Sequence, residues 1–288
     1  MGTRALIAGA VIALWWSPIA GQAPPLIVDV NARDVQPGEV VVLTIHVPTG
    51  SGSVRVRALG HAIPAFPVGD DRWEAIVGID LDVKPGQQAI SVEAGSARAT
   101  RELVVKPKTF RTRRLNVDPG FVTPPPSAEA QIEADRKLLA RTWESSAAER
   151  LWSSPFVRPV NDAANSAFGT RSIFNGQPRN AHGGADFLSP AGTAVHAPNA
   201  GRVLVARDLY YSGNTVIIDH GLGLFSMFAH LSAFDTREGD RVEAGAIVGR
   251  VGATGRVTGP HLHWAVRANG ARVDPLSLLA VLGAKRGD

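Results

Sequence analysis

The 288-residue chain contains no cysteine. Its absence excludes disulfide bonds, thiolate zinc sites and a lipoprotein anchor. A membrane-spanning run is lacking as well: the apolar stretch Ala5 to Trp16 (ALIAGAVIALWW) covers only roughly twelve residues where a span needs about twenty, and Pro18 interrupts any extension. No long block of one charge sign occurs and the net charge is only +4, so neither a disordered segment nor a nucleic-acid-binding tail is indicated. The slight basic excess favours an anionic surface or polymer.

The start of the chain has the layout of an export signal. Arg4 supplies a positive charge, the apolar stretch follows, and Gly21 and Ala23 offer the small residues of a cleavage site. Residues 1–23 are therefore expected to be a signal peptide. The mature protein would work in the periplasm, the cell envelope or the medium, with no stable membrane insertion after cleavage. The length that remains suits two domains.

Residues 24–106 read as short strands rich in β-branched side chains: Val40 to Val47, Val54 to Leu59, Trp73 to Ile79, Gln88 to Ala94 and Ala99 to Val105. Turn signals at Pro37-Gly38, Gly50-Ser51-Gly52, Gly69-Asp70-Asp71 and Pro85-Gly86 separate them, a spacing that predicts an immunoglobulin-like β-sandwich. His46 and His61 fall here and are expected to be packed or solvated. Residues 107–150 read as a proline-rich and helical connector, extended over the stretch that ends at Pro126. Its basic cluster, Lys106, Lys108, Arg111, Arg113 and Arg114, is expected to be solvated, and a helix capped by Ser127 runs from Ala128 to about Arg150 with Ile132, Leu138, Leu139 and Trp143 on its apolar side.

Residues 151–288 return to strands, at Gly192 to Ala197, Gly201 to Arg207, Thr215 to Asp219, Leu224 to His230, Ile247 to Val251 and His261 to Arg267, with few helices. Two motifs here carry chemistry: His182-Gly183-Gly184-Ala185-Asp186 and His261-Leu262-His263. Residues two apart in a strand project from one face, so His261 and His263 are expected side by side; either can bind metal with the other beside it. Gly183-Gly184 argues against a helix between His182 and Asp186 and for a loop running into a strand. Imidazole nitrogen and carboxylate oxygen bind zinc at about 2.0–2.2 Å, and a catalytic site keeps one position for water, whose pKa falls towards ~7. The pattern points to a hydrolase.

Set in order, Phe168-Gly169-Thr170-Arg171, the His182 to Asp186 motif, Asn214, Ile218-Asp219-His220-Gly221, Phe228-Ala229-His230-Leu231, and Thr254-Gly255 through Thr258-Gly259-Pro260-His261-Leu262-His263 resemble the lysostaphin and LytM type of peptidoglycan metallopeptidase. The likeness runs over roughly Phe156 to Pro275. It implies a mainly β chain whose C-terminal half is an antiparallel LytM-like metallopeptidase domain. It implies one Zn2+ per chain held by His182, Asp186 and His263, with His230 and His261 as the catalytic histidines. Asn214 and Arg171 are candidates to line the substrate cleft, while His196 and His220 are expected to be structural. Phe228 stands where the family often has tyrosine, which implies the loss of a hydroxyl contact to substrate.

The same resemblance implies an exported endopeptidase acting on the peptide stems of bacterial cell wall. The D-alanyl to meso-diaminopimelate bond is preferred over glycyl-glycine bridges, because the catalytic region leaves no space for a C-terminal wall-binding module. Two other readings stand beside it. One is a non-catalytic activator of cell-wall amidases, which the complete ligand set disfavours; the other is an endopeptidase of glycyl-glycine bridges or of extracellular proteins. The sandwich is expected either to hold the enzyme at its target or to cover the cleft.

Overall fold

The run Val40 to Ile45 (VVVLTI) is apolar without alternation, which is the pattern of a strand covered on both faces. In the computed structural model, which describes residues 26–117, 122–165 and 168–284, this is what is found; the expected signal peptide lies outside the described residues. Strand β2 (Val40–His46) turns Val41, Leu43 and Ile45 into one apolar core and Val40 into another. With β1 (Ile27–Ala32), β6 (Arg72–Gly78) and β5 (Ala65–Pro67) it forms a sheet in the order β1-β2-β6-β5. A second sheet, β4-β3-β7-β8, combines β4 (His61–Ile63), β3 (Val54–Ala58), β7 (Gly86–Ala94) and β8 (Ala97–Val105). Strand β3 is buried and exposed in strict alternation, and its Val54, Val56 and Ala58 meet the residues of β2 in the shared core. All five expected strands occur; β1, β4 and β5 were not anticipated.

The connector does more than span a gap. Residues 112–115 form β9 (Thr112–Leu115), which pairs in parallel with β11 (Arg171–Phe174), itself paired with β12 (Gln177–Pro178). The expectation of a purely extended, solvated segment is corrected here: free edge groups of β11 accept a partner strand without any buried sheet interior. Lys106 and Lys108 are likewise not free, since they reach Asp34 at 2.9 Å and Glu39 at 3.1 Å. Helix α1 spans Glu129–Glu144, shorter than expected. Ser127 sits inside a 3-10 turn, Pro126–Ala128, and caps nothing; Ala128 is the N-cap and makes no side-chain bond. The helix stops before Arg150 because Ser146 bonds Asp219 through its hydroxyl at 2.7 Å and the Ala147 N–H bonds the same carboxylate at 2.7 Å, drawing the chain onto the C-terminal sheet. The apolar side is as expected: Leu138, Leu139 and Trp143 cover Val205, Ile217 and Phe225.

The C-terminal half is a large antiparallel sheet. Its main path runs β10 (Ala164–Asn165), β13 (Gly184–Phe187), β20 (Leu262–Ala268), β17 (Leu224–Phe234), β16 (Gly213–Gly221), β15 (Gly201–Leu209) and β18 (Arg241–Val242). Strand β19 (Ile247–Val251) pairs with β17 and with β14 (Ala194–His196), and β21 (Ala271–Val273) pairs with β20. His261 is not in β20, contrary to expectation; it makes an isolated bridge to Gly252 just before the strand begins. A short helix, α2 (Pro275–Leu282), closes the chain, with Asp274 accepting from the Leu276 N–H as its N-cap. Among the described residues no helix is long and apolar enough to cross a membrane.

The two halves share a core. Val40, Phe66 and Ile76 of the sandwich cluster with Trp152, Phe156, Ala268, Ala271, Val273 and Leu278. Around that patch Arg33 bonds both Glu39 and Asp274, the Ser277 hydroxyl accepts from the Val40 N–H at 2.8 Å, and Asp80 takes Arg272 by its guanidinium and its backbone N–H. The sandwich therefore packs on the end of the sheet formed by β20, β21 and α2.

Candidate metal centre

Three neighbouring strands build the site. On β13, Ala185 and Phe187 enter the core, so Asp186 faces the other way; on β20, Leu262 and Trp264 enter the core, so His263 does the same. Asp186 and His263 are direct cross-strand partners. His182 comes from the loop before β13, where its N–H and C=O are tied to the Thr170 carbonyl and the Gly169 N–H. The loop-into-strand expectation for this motif holds.

The donor atoms form a tight triangle. Asp186 Oδ1 lies 3.0 Å from His182 Nε2 and 3.0 Å from His263 Nδ1, and the two nitrogens are 3.0 Å apart. Tetrahedral zinc with bonds of about 2.0–2.1 Å separates its donors by roughly 3.3 Å, so a small opening of the triangle accommodates the ion. Two imidazole nitrogens and a carboxylate oxygen turned on one another have no better common partner than a cation. His182 Nδ1 is buried without a hydrogen-bond partner, so the ring's polar commitment is to this cluster. Burial alone would raise the carboxyl pKa of Asp186, but bonds from His182 and His263 outweigh it and hold the group well below the usual carboxylate range. Burial lowers the His263 pKa, favouring the neutral imidazole that a metal requires.

Beside the triangle stand His261 and His230, their ring centroids 4.9 Å apart. His261 Nε2 is 3.9 Å from Asp186 Oδ1, and its Nδ1 donates to the Gly259 carbonyl at 2.9 Å. His230 reaches the site by breaking the strand pattern. Phe228 and Leu231 both enter the core, and opposite them only Val216 and Asn214 are used, so β17 carries one extra residue at Ala229-His230. His230 has φ of 65°, and the other non-glycine residues with positive φ (Leu59, Asn175, Leu222 and Asn269) each precede a glycine in a turn between paired strands. His230 alone of these lies within a strand, and the conformation swings its ring to 6.1 Å from that of His263. Burial, followed by the nearby His263, pushes its pKa down to about 4.

The other residues singled out in the sequence take different places. His220 is fully buried, donating to the Ala200 carbonyl at 2.8 Å with Ser226 Oγ 3.0 Å from its other nitrogen, and His196 Nδ1 donates to Gly245 at 2.8 Å; both serve the fold. Asn214 is half-buried on β16, its N–H bonded to Thr254 Oγ1. Arg171 is exposed, one residue past the Thr170 that holds His182. Phe228 is completely buried, so a tyrosine hydroxyl at its position would point into the core and not at substrate; the implied lost contact is corrected.

Two residues escaped sequence reasoning. Gly184 was read only as a helix breaker, yet a Cβ there would stand 2.3 Å from the Trp264 carbonyl and 2.8 Å from the His263 ring. The approach of β13 to β20 that seats His263 needs glycine. Thr254 accepts the Nδ1 proton of His230 on its carbonyl at 3.0 Å. Its position in a glycine-rich loop before the His261 motif was the available signal.

Comparison with known proteins places this geometry in context. The sequence pattern described as Peptidase family M23 matches residues 180–275. The DD-carboxypeptidase/endopeptidase Mpg of Neisseria meningitidis serogroup B is 44% identical over 97 residues, covering 34% of this chain and 22% of that protein. Peptidoglycan DD-endopeptidase ShyA of Vibrio cholerae is 40% identical over 95 residues, 33% of this chain and 22% of its own length. The chain thus aligns with about a fifth of the length of these curated relatives. A crystal structure from Pseudomonas aeruginosa assigned to peptidase M23 is 32% identical, covers 87% of this chain and 96% of that one, and superposes with a TM-score of 0.66.

Proposed function

The chain belongs to peptidase family M23, and from that membership we propose that it is an exported zinc-dependent endopeptidase of bacterial peptidoglycan. The D-alanyl to meso-diaminopimelate cross-link is the bond assigned to it. The observation that carries the proposal is the triangle of His182 Nε2, Asp186 Oδ1 and His263 Nδ1, with two further histidines beside it. The named activities of the Neisseria and Vibrio relatives over the matching segment support the choice of a DD bond.

In this reading His182, Asp186 and His263 hold one zinc ion per chain. Bound there, zinc supplies Lewis acidity to the scissile carbonyl and makes a water more acidic. Asp186 stays ionised and balances part of the ion's charge. His230 and His261 each commit Nδ1 to a backbone carbonyl, which leaves Nε2 to exchange a proton with the attacking water, the developing oxyanion or the leaving amine. Asn214 and Arg171 are assigned to the cleft wall, Arg171 to meet a stem-peptide carboxylate. Residues 1–23 are assigned to export, and the sandwich (24–106), connector (107–150) and catalytic segment (151–288) are taken as the working divisions of the chain.

The test is mass spectrometry of muropeptides released from purified wall by the full chain and by His263→Ala. The intact protein is expected to convert cross-linked dimers to monomers with free D-Ala and diaminopimelate ends, and the variant to fall by at least a hundredfold, within the range set by losing a metal ligand. Equal release by the variant would remove the zinc reading. Cleavage of pentaglycine bridges with intact dimers from diaminopimelate wall would move the bond assignment.

A further inference from the structure

We infer that Thr254 is a positioning residue that fixes the orientation and tautomer of His230, acting through a clasp between the turn at residues 210–214 and the loop at residues 252–256. The inference rests on the proposed catalytic role of His230 and adds a residue that the ligand pattern does not contain.

Four observations converge on it. His230 sits at φ of 65° in the bulge of β17, a conformation that for a non-glycine residue persists only where its surroundings enforce it. Two bonds to backbone carbonyls supply that enforcement: the His230 N–H donates to Ser212 at 2.8 Å, and the ring Nδ1 donates to Thr254 at 3.0 Å. Thr254 is in turn pinned by its own hydroxyl, which donates to the Leu231 carbonyl at 2.8 Å and accepts from the Asn214 N–H at 2.9 Å. The two loops close on each other with no room for a side chain: a Cβ on Gly213 would stand 2.3 Å from Thr254, and one on Gly255 would stand 2.3 Å from the Gly213 nitrogen.

The hydroxyl therefore bridges β16 and β17 at the Asn214–Leu231 pair that closes one end of the bulge, and holds the adjacent carbonyl where His230 must give it a proton. A neutral imidazole has one N–H, so a proton held on Nδ1 leaves a lone pair on Nε2. Without the hydroxyl the Leu231 carbonyl and Asn214 N–H lose their shared partner, the loop relaxes, and both ring tautomers become accessible.

The experiment uses full-length protein loaded with zinc and labelled with 15N in its histidine rings. Long-range nitrogen–proton correlation spectra are recorded at a pH where His230 is neutral, and zinc content and wall hydrolysis are measured in parallel. Wild type is expected to show His230 protonated on Nδ1 alone. Thr254→Val should show mixed tautomers and a kcat at least tenfold lower, with KM within twofold and zinc content unchanged, a loss in line with that from removing outer-shell partners. Thr254→Ser, which keeps the hydroxyl, should restore both. A wild-type proton on Nε2, or a Thr254→Val protein with an unaltered tautomer and rate, would overturn the inference. Should Thr254→Val misfold, the wild-type tautomer and the Thr254→Ser rescue still decide it. Absence of wall cleavage by wild type would instead count against the proposed function, because the tautomer is read without it.

Discussion

The sandwich and the catalytic half are made of the same material, antiparallel strands with buried β-branched side chains, and differ in how often the ladder is broken. Every described pairing within the sandwich keeps its register from end to end. The catalytic sheet shifts register in β14–β19, β15–β16, β16–β17 and β17–β19. A regular ladder alternates its side chains between core and solvent, so it sets cross-strand partners such as Asp186 and His263 side by side but keeps an out-of-phase residue of the next strand on the other face. The break beside Asn214 re-aims His230 onto the side where Asp186 and His263 already stand. The histidines of the sandwich show the contrast: His46 lies 3.3 Å from the exposed Asp29 carboxylate, and His61 is exposed in β4.

The contrast is most sharply tested at Gly184, where the catalytic half tolerates no side chain. Gly184→Ala would force β13 away from the Trp264 carbonyl and displace the His263 ring. Zinc affinity is expected to fall by tenfold or more and wall hydrolysis with it, measured by metal content after dialysis and by muropeptide release. Gly183→Ala is the internal control, because no atom lies within 4 Å of its added methyl. Equal zinc retention by both variants would show that the close approach of the strands does not set the site.

How much of this was legible beforehand follows the same division. The regular strands could be read from apolar runs, with β19 falling at Ile247–Val251 as expected. His182, Asp186 and His263 could be named because the resemblance chose between the two histidines that spacing left open, and the structure brings the three together. What sequence hid was the geometry that departs from the repeat. The periodicity argument put His261 in the strand with His263, whereas it reaches the site from a single bridge. The bulge at His230 leaves no mark in the pattern Leu224 to Leu231, because an extra residue in a strand looks like any other. Strand β9 was invisible because Thr112–Leu115 has four exposed positions and its stability comes from a partner 59 residues away.

A second difference concerns buried protons. His220 is enclosed in the catalytic half, and burial pushes its pKa down to about 4 from 6.5. A group whose folded pKa is depressed contributes stability that is fully present above its unfolded pKa, near 6.5, and is lost as pH falls from there through about 4. The full term is roughly 3 kcal/mol. Denaturant midpoints of metal-free protein between pH 7 and 4.5 should therefore fall more steeply for wild type than for His220→Gln, although the variant starts lower. Parallel slopes for wild type and His220→Gln would remove this histidine as the source of acid sensitivity.

The smallest expected effect asks whether the two regions are separate bodies at all. Asp80 of the sandwich binds Arg272 of the catalytic half at 2.6 Å and 3.1 Å through its guanidinium and at 2.7 Å through its backbone N–H, and Gly78 has no space for a Cβ against Ala271 and the Ala268 carbonyl. Cutting the chain near Leu151 would also strip α1 and its cover of Phe225 from the sheet, so the interface is better probed in the intact protein. Arg272→Ala is expected to cost about 2 kcal/mol, as for a charge-assisted, half-buried hydrogen-bonded pair, and to lower one shared melting transition. Unfolding followed by tryptophan emission, to which Trp73 of the sandwich and the buried Trp264 both contribute, and by far-UV circular dichroism should give the same midpoint. Wall hydrolysis should not rise, because the partners of the histidine cluster all come from the catalytic half. Two separated transitions would establish the halves as independent, and faster hydrolysis on loosening the interface would support the expectation that the sandwich covers the cleft.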